Sequence, residues 1–138
     1  MRYNLCVMEQ GLVSREHLAI TGVSHIEFHV SDLEASTDWY MLAVGLRKLR
    51  AIEGKFVELT PEDGGFRLGL SEQKPIHNQF GHLAIALASM DVLMAWVEHL
   101  DTIGVPHTAV KENPYKPGVF SIDLHDPDGH EIELVYEP

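Results

Sequence analysis

Two stretches of the chain alternate apolar and polar residues with a period of two, and each opens on a histidine. In Ser24-His25-Ile26-Glu27-Phe28-His29-Val30 the apolar positions are Ile26, Phe28 and Val30; in Gly81-His82-Leu83-Ala84-Ile85-Ala86-Leu87 they are Leu83, Ile85 and Leu87. Such alternation predicts a strand with one buried face. His25 and His82 fall on the other face, beside Glu27 and His29 in one copy and Ala84 and Ala86 in the other. A helical pattern follows each strand. Ser31 with Glu34 three residues on reads as a capping box ahead of Leu33, Tyr40 and Val44. Ser89 is placed to cap a helix carrying Leu93, Trp96, Val97, Leu100 and Ile103. Gly45 stops the first helix, and Gly104 followed by Pro106 stops the second. A tryptophan falls at the same offset from each histidine, Trp39 and Trp96, where packing between helix and sheet is expected.

Three short strand-like runs come after each helix. In the first half they are Leu46–Arg50, Lys55–Thr60 and Phe66–Leu70, with Glu62-Asp63-Gly64-Gly65 as a hairpin turn. In the second they are His107–Val110, Val119–His125 and His130–Tyr136, with the turn Asp126-Pro127-Asp128-Gly129 before the last. Each half therefore reads β-α-β-β-β. One such unit cannot cover its own sheet, so two must pair, within a chain or between chains. The expected division is an N-terminal arm at 1–20, a first module at 21–70, a connector at 71–80 and a second module at 81–138.

Composition narrows the partners more than the chemistry. At 138 residues the chain forms one domain or two small modules sharing a core. A net charge of −11 argues against nucleic acid or an anionic membrane. No apolar run approaches the roughly 20 residues of a membrane span, and Asn4, Glu9 and Gln10 interrupt any signal-like stretch. Cys6 is the only cysteine, which excludes an internal disulfide and fits a reducing cytoplasm.

Two imidazoles and one carboxylate make a ligand set that holds a divalent metal on one side and leaves positions open for substrate or oxygen. His25 and His82 supply the imidazoles. Glu131 and Glu133 share a strand face, so alternation alone does not choose between them.

The layout resembles the vicinal oxygen chelate superfamily, which includes glyoxalase I, extradiol dioxygenases, fosfomycin- and bleomycin-resistance proteins and methylmalonyl-CoA epimerase. The resemblance covers about residues 21–137. It rests on His25 with Val30-Ser31-Asp32-Leu33, Trp39-Tyr40, Gly45-Leu46, Gly81-His82, and the run from Asp126 to Leu134. It implies an α+β fold in which two βαβββ modules pair into an open, curled β-barrel around a metal cavity, helices outside. It also implies His25, His82 and Glu133 as the metal ligands, the carboxylate being the one followed by Leu134. The ion would be Fe2+, Mn2+, Zn2+, Ni2+ or Co2+. A homodimer is expected, and His25 then belongs either to the chain of His82 and Glu133 or to its partner.

Departures from the family pattern bear on the reaction. Glyoxalase I and the epimerase carry a fourth ligand on the last strand of the first module, where this chain has Gly69. Glu58 or Glu72 would fill that role only through a shift of register. Loss of the fourth ligand is expected to open space beside it. The three-ligand pattern matches extradiol dioxygenases and fosfomycin thiol transferases. The dioxygenases' cavity His and Tyr are replaced by Phe66 or Arg67 and by Asp123. His29 or His125 is the candidate for proton relay, and Arg67 for anchoring an anionic substrate group. Lys111, Glu112 and Asn113 echo the phosphonate- and potassium-binding stretch of the fosfomycin enzymes without its serines, and Tyr115 and Lys116, in a loop stiffened by Pro114 and Pro117, are candidates for substrate contact or for a solvated loop. The expectation is a metal-dependent enzyme acting on a small, chelating, oxygenated substrate, with dioxygenase chemistry ahead of lyase or thiol-transfer chemistry. The alternative is a ligand-sequestering protein of the bleomycin-resistance kind without catalysis.

Overall fold

A computed structural model describes residues 23–74 and 82–138. The arm at 1–20 and most of the connector at 71–80, as well as Gly81, lie outside the described residues. The elements run β1 (Ile26–Val30), α1 (Leu33–Ala43), β2 (Arg47–Ile52), β3 (Phe56–Thr60), β4 (Leu68–Glu72), β5 (Leu83–Leu87), α2 (Met90–Ile103), β6 (Lys111–Glu112), β7 (Phe120–His125) and β8 (Glu131–Tyr136). They form two four-stranded sheets of the same topology, β1-β4-β3-β2 and β5-β8-β7-β6. In each, the first strand lies parallel to the last and the rest pair antiparallel. The βαβββ repeat read from the alternation is the repeat observed. The barrel stays open: the two sheets are separate ladders.

The apolar residues of the alternating runs face inward against the helices. Leu59, Leu68 and Leu70 from the first sheet, Ile122, Leu124, Ile132 and Leu134 from the second, and Tyr40, Leu93 and Leu100 from the helices are fully buried. Both tryptophans pack partly buried against this core. Both helices are capped, though not both as expected. Ser89 accepts from the Val92 amide at 3.2 Å at the start of α2, and Gly104 closes it in the left-handed conformation. At α1 the cap is Asp32, whose carboxylate accepts from the Ala35 amide at 2.9 Å. Ser31 instead donates its amide to Asp128 at 3.0 Å. A charged acceptor at the helix start outcompetes the neutral hydroxyl one residue earlier.

The strand expected at His107–Val110 is displaced to Lys111–Glu112, leaving a single bridge between His107 and Leu124. The Asp123 amide donates to the Thr108 hydroxyl at 2.9 Å. A side chain thus takes the place of a main-chain acceptor, and the ladder is interrupted there.

The two modules meet through specific contacts. The Tyr40 hydroxyl donates to Asp126 at 2.8 Å, and the rings of Phe28 and His130 stack with centroids 4.4 Å apart. Across the helices, His99 Nε2 donates to the Leu42 carbonyl at 2.9 Å. Gly45, with φ of +70°, sits so close to Trp96 that a Cβ there would lie 3.1 Å from the indole. Its lack of a side chain is what lets the second module's tryptophan seat against the first module. Among the described residues no helix is long and apolar enough to cross a membrane.

Candidate metal centre

The parallel register of β5 and β8 sets Ala84 beside Glu133 and Leu83 beside Ile132. His82, one residue before β5, therefore reaches Glu133 diagonally along the sheet face opposite the buried Ile132 and Leu134. Its Nε2 lies 3.0 Å from Glu133 Oε2, with side-chain exposures of 49% and 18%. Two donors bound to one ion by bonds of roughly 2.1 Å at a right angle stand about 3.0 Å apart, so the pair suits adjacent coordination positions. The same separation also suits a hydrogen bond, so the pair is satisfied without an ion. The same face carries Glu131, and across the ladder Asp123 and His125 lie opposite Glu133 and Glu131.

His25 is not with them. It stands immediately before β1 in the other sheet, its Nδ1 3.1 Å from the Ser24 hydroxyl. Among the described residues no three His, Cys, Asp or Glu side chains gather as a metal cluster. The single chain therefore brings together two of the three expected ligands and leaves the third apart.

The remaining candidates divide by what they touch. Asp123 is nearly buried and paired with Lys111, whose ammonium is held protonated, its pKa raised by that hydrogen bond and further by the charges of Glu133 and Glu131. His125 is exposed at the end of β7. His29 pairs with Ser71 across the β1–β4 ladder, and Ser71 donates to Glu27. Arg67, its side chain 42% exposed, is engaged with Ser24 and with Glu58.

Gly69 is not an open position. A Cβ built on it would meet the Phe56 ring at 2.8 Å, so the space expected from the missing fourth ligand is filled by an aromatic side chain. Glu72 points to the helix side and accepts from the Leu33 amide at 3.1 Å, which removes it from the face that bears Gly69. Glu58 lies directly across the ladder from Gly69 and is 1% exposed, between Arg50 and Arg67. The pairing of Lys111 with Asp123, which lies across the ladder from Glu133, was missed in the sequence, because a two-residue strand has no alternation to show which way its side chains point.

The family model described as Glyoxalase/Bleomycin resistance protein/Dioxygenase superfamily matches residues 22–134. A metallothiol transferase, FosB, from Bacillus licheniformis is 30% identical over 125 residues, spanning 86% of this chain and 77% of the relative. Among solved structures, a fosfomycin resistance protein, FosX, from Listeria monocytogenes, crystallised with Mn(II) and sulfate, superposes with a TM-score of 0.71 at 21% identity, over 87% of this chain and 93% of that one. A lactoylglutathione lyase from Agrobacterium tumefaciens superposes with a TM-score of 0.70 at 18% identity, over 85% and 94% of the two chains. The repeated βαβββ topology, the length of the match and the identity to a curated member agree: this chain belongs to the glyoxalase/bleomycin resistance protein/dioxygenase superfamily.

Proposed function

We infer that the protein is a metal-dependent enzyme of the transfer or lyase type, acting on a small oxygenated substrate with an anionic group. Its metal site would be completed by a second copy: His82 and Glu133 from one protomer, His25 from the other. The observation that carries this reading is the 3.0 Å approach of His82 to Glu133 on a solvent-facing sheet surface, with His25 standing apart in the other sheet. Neutral imidazole and carboxylate suit Mn2+, Fe2+, Zn2+, Ni2+ or Co2+. A structural neighbour crystallised with Mn(II) makes that ion the first to try.

Bound there, a divalent cation would polarise a substrate oxygen. The chain's own groups supply the rest. Lys111, paired with Asp123 across the ladder from Glu133, would offer a positive charge for a phosphonate, phosphate or carboxylate. Asp123 holds that ammonium in place. His125, exposed at the end of β7 in the same sheet, and His29, on β1 of the other sheet, would be the groups to carry a proton at the substrate. Transfer chemistry stands ahead of ring cleavage here because the curated relative is a metallothiol transferase. The dioxygenase and sequestering readings become arms of the test.

Purified protein is titrated with Mn(II) and assayed with fosfomycin plus a low-molecular-weight thiol, with α-ketoaldehyde–thiol adducts, and with catechols under oxygen. We expect one metal per protomer, metal-dependent turnover of a thiol or adduct substrate, and loss of metal from His82→Ala. Equal metal in wild type and His82→Ala would overturn the site. Catechol turnover alone would replace transfer with ring cleavage, and tight ligand binding without turnover would favour sequestration.

A further inference from the structure

The face of the first sheet that bears Glu58 and Gly69 carries a carboxylate that the ligand set does not use. Glu58 is 1% exposed, and both its oxygens meet guanidinium groups: Arg50 Nη2 at 3.2 Å and Arg67 Nη1 at 3.5 Å. A carboxylate so deeply buried persists only when paired. Arg67 does more than pair with it. Its Nε donates to the Ser24 carbonyl at 3.3 Å, its Nη2 donates to the Ser24 hydroxyl at 3.1 Å, and its own carbonyl accepts from the Ile26 amide at 3.0 Å. The Ser24 hydroxyl oxygen in turn lies 3.1 Å from His25 Nδ1. An unbroken line of polar contacts thus runs from a buried anion to the edge of the imidazole.

The geometry points to Arg67 and Ser24 as positioning residues for His25, with Glu58 as their buried anchor. The inference rests on reading His25 as the third metal ligand. His25 stands one residue before β1, outside the run of paired strand residues, so the ladder does not orient its ring. Contact through Nδ1 turns the ring and leaves Nε2 facing outward, the arrangement in which an outer partner orients a metal-binding histidine. The planar guanidinium suits this task because its donors leave in fixed directions: one edge grips Ser24 twice while the other end reaches Glu58. Glu58 has a second effect. Two arginines near an incoming dication would repel it, and the carboxylate between them offsets part of that charge. Arg67 therefore serves His25, and its engaged donors leave less of it for a substrate anion than the sequence alone suggests.

The test uses Mn(II) alone as probe, on the full chain, with Ser24→Ala, Arg67→Met, Arg67→Lys and His82→Ala. Two quantities are read: Mn(II) affinity by calorimetry, and the order of the His25 ring by 13C relaxation in the metal-free protein. Metal-free melting curves confirm that each variant is folded, and Ser24, being exposed, is the substitution least able to disturb the core. Ser24→Ala and Arg67→Met are expected to bind Mn(II) roughly 10- to 100-fold more weakly, the usual cost of losing an outer partner. The His25 ring becomes mobile in both. Arg67→Lys keeps the charge but loses the fork, and is expected to stay weakened. Wild-type affinity and an equally ordered ring in Ser24→Ala and Arg67→Met would overturn the proposal. If His82→Ala binds Mn(II) normally, the metal reading itself fails, while ring order still decides whether Arg67 and Ser24 orient His25.

Discussion

Single side chains in this protein are set by their partners more than by their depth. His107 donates from Nδ1 to the Thr108 carbonyl at 2.7 Å and from Nε2 to Asp101 at 3.0 Å, so both ring nitrogens act as donors. That arrangement needs the imidazolium, and the Thr108 carbonyl, followed by Asp101, raises the His107 pKa against a smaller opposing effect of burial. Because the folded value is raised, the contribution to stability is complete below the ordinary histidine value and fades as pH climbs through the folded one. An NMR titration should show His107 titrating above an ordinary histidine. Asp101→Asn should bring it only part of the way back, since the carbonyl contact remains. The cost in stability should be under about 1 kcal/mol, because Asp101 is largely exposed. A His107 that titrates normally in the wild type would show that these two bonds do not persist in solution. Tyr40 shows the opposite case: burial, then the charge of Asp126, pushes its phenol far above any working pH, so it stays protonated and donates to Asp126.

Helices and strands were legible where periodicity was long and illegible where a side chain intervened. The alternation opening at His25 and at His82 runs for enough residues to define a face, and β1 and β5 formed as read. The start of α1 shifted because Ser31 and Asp32 are both good caps, and only the carboxylate finds the Ala35 amide. The β6 strand moved because the Thr108 hydroxyl replaced a backbone partner, a substitution that no hydrophobic pattern reports. The cap makes a direct prediction. Asp32→Ala should lower stability by about 1 kcal/mol in urea denaturation, and Asp32→Ser should recover most of it. An unchanged midpoint for Asp32→Ala would mean that Glu72, which accepts from the Leu33 amide, suffices to hold the helix start.

At the level of the whole molecule, the repeat was visible from the sequence but the closure of the site was not. Residue types and family register pick out His25, His82 and Glu133. Nothing along one chain says which protomer each should come from, because that depends on how two rigid modules sit against one another. Tyr40 with Asp126, and Phe28 with His130, fix that arrangement within the chain. If sites form between protomers, two inactive variants should rescue each other. Mixing His25→Ala with Glu133→Ala and allowing subunits to exchange gives a hybrid in which one site carries both substitutions and the other carries neither. We expect activity and bound Mn(II) to reappear on mixing, toward half of the wild-type value per hybrid. A mixture that exchanges subunits, shown by mass spectrometry, yet stays inactive would place each site inside a single chain.

The tight seat of Trp96 against Gly45 gives the protein a built-in optical gauge. The indole of the second repeat touches the first, whereas Trp39 meets the edge of Tyr40 inside its own repeat. With Trp39 replaced by phenylalanine, emission would track the seam between halves. With Trp96 replaced, it would track the first half alone, so the order in which the halves part and melt can be followed without attaching a dye.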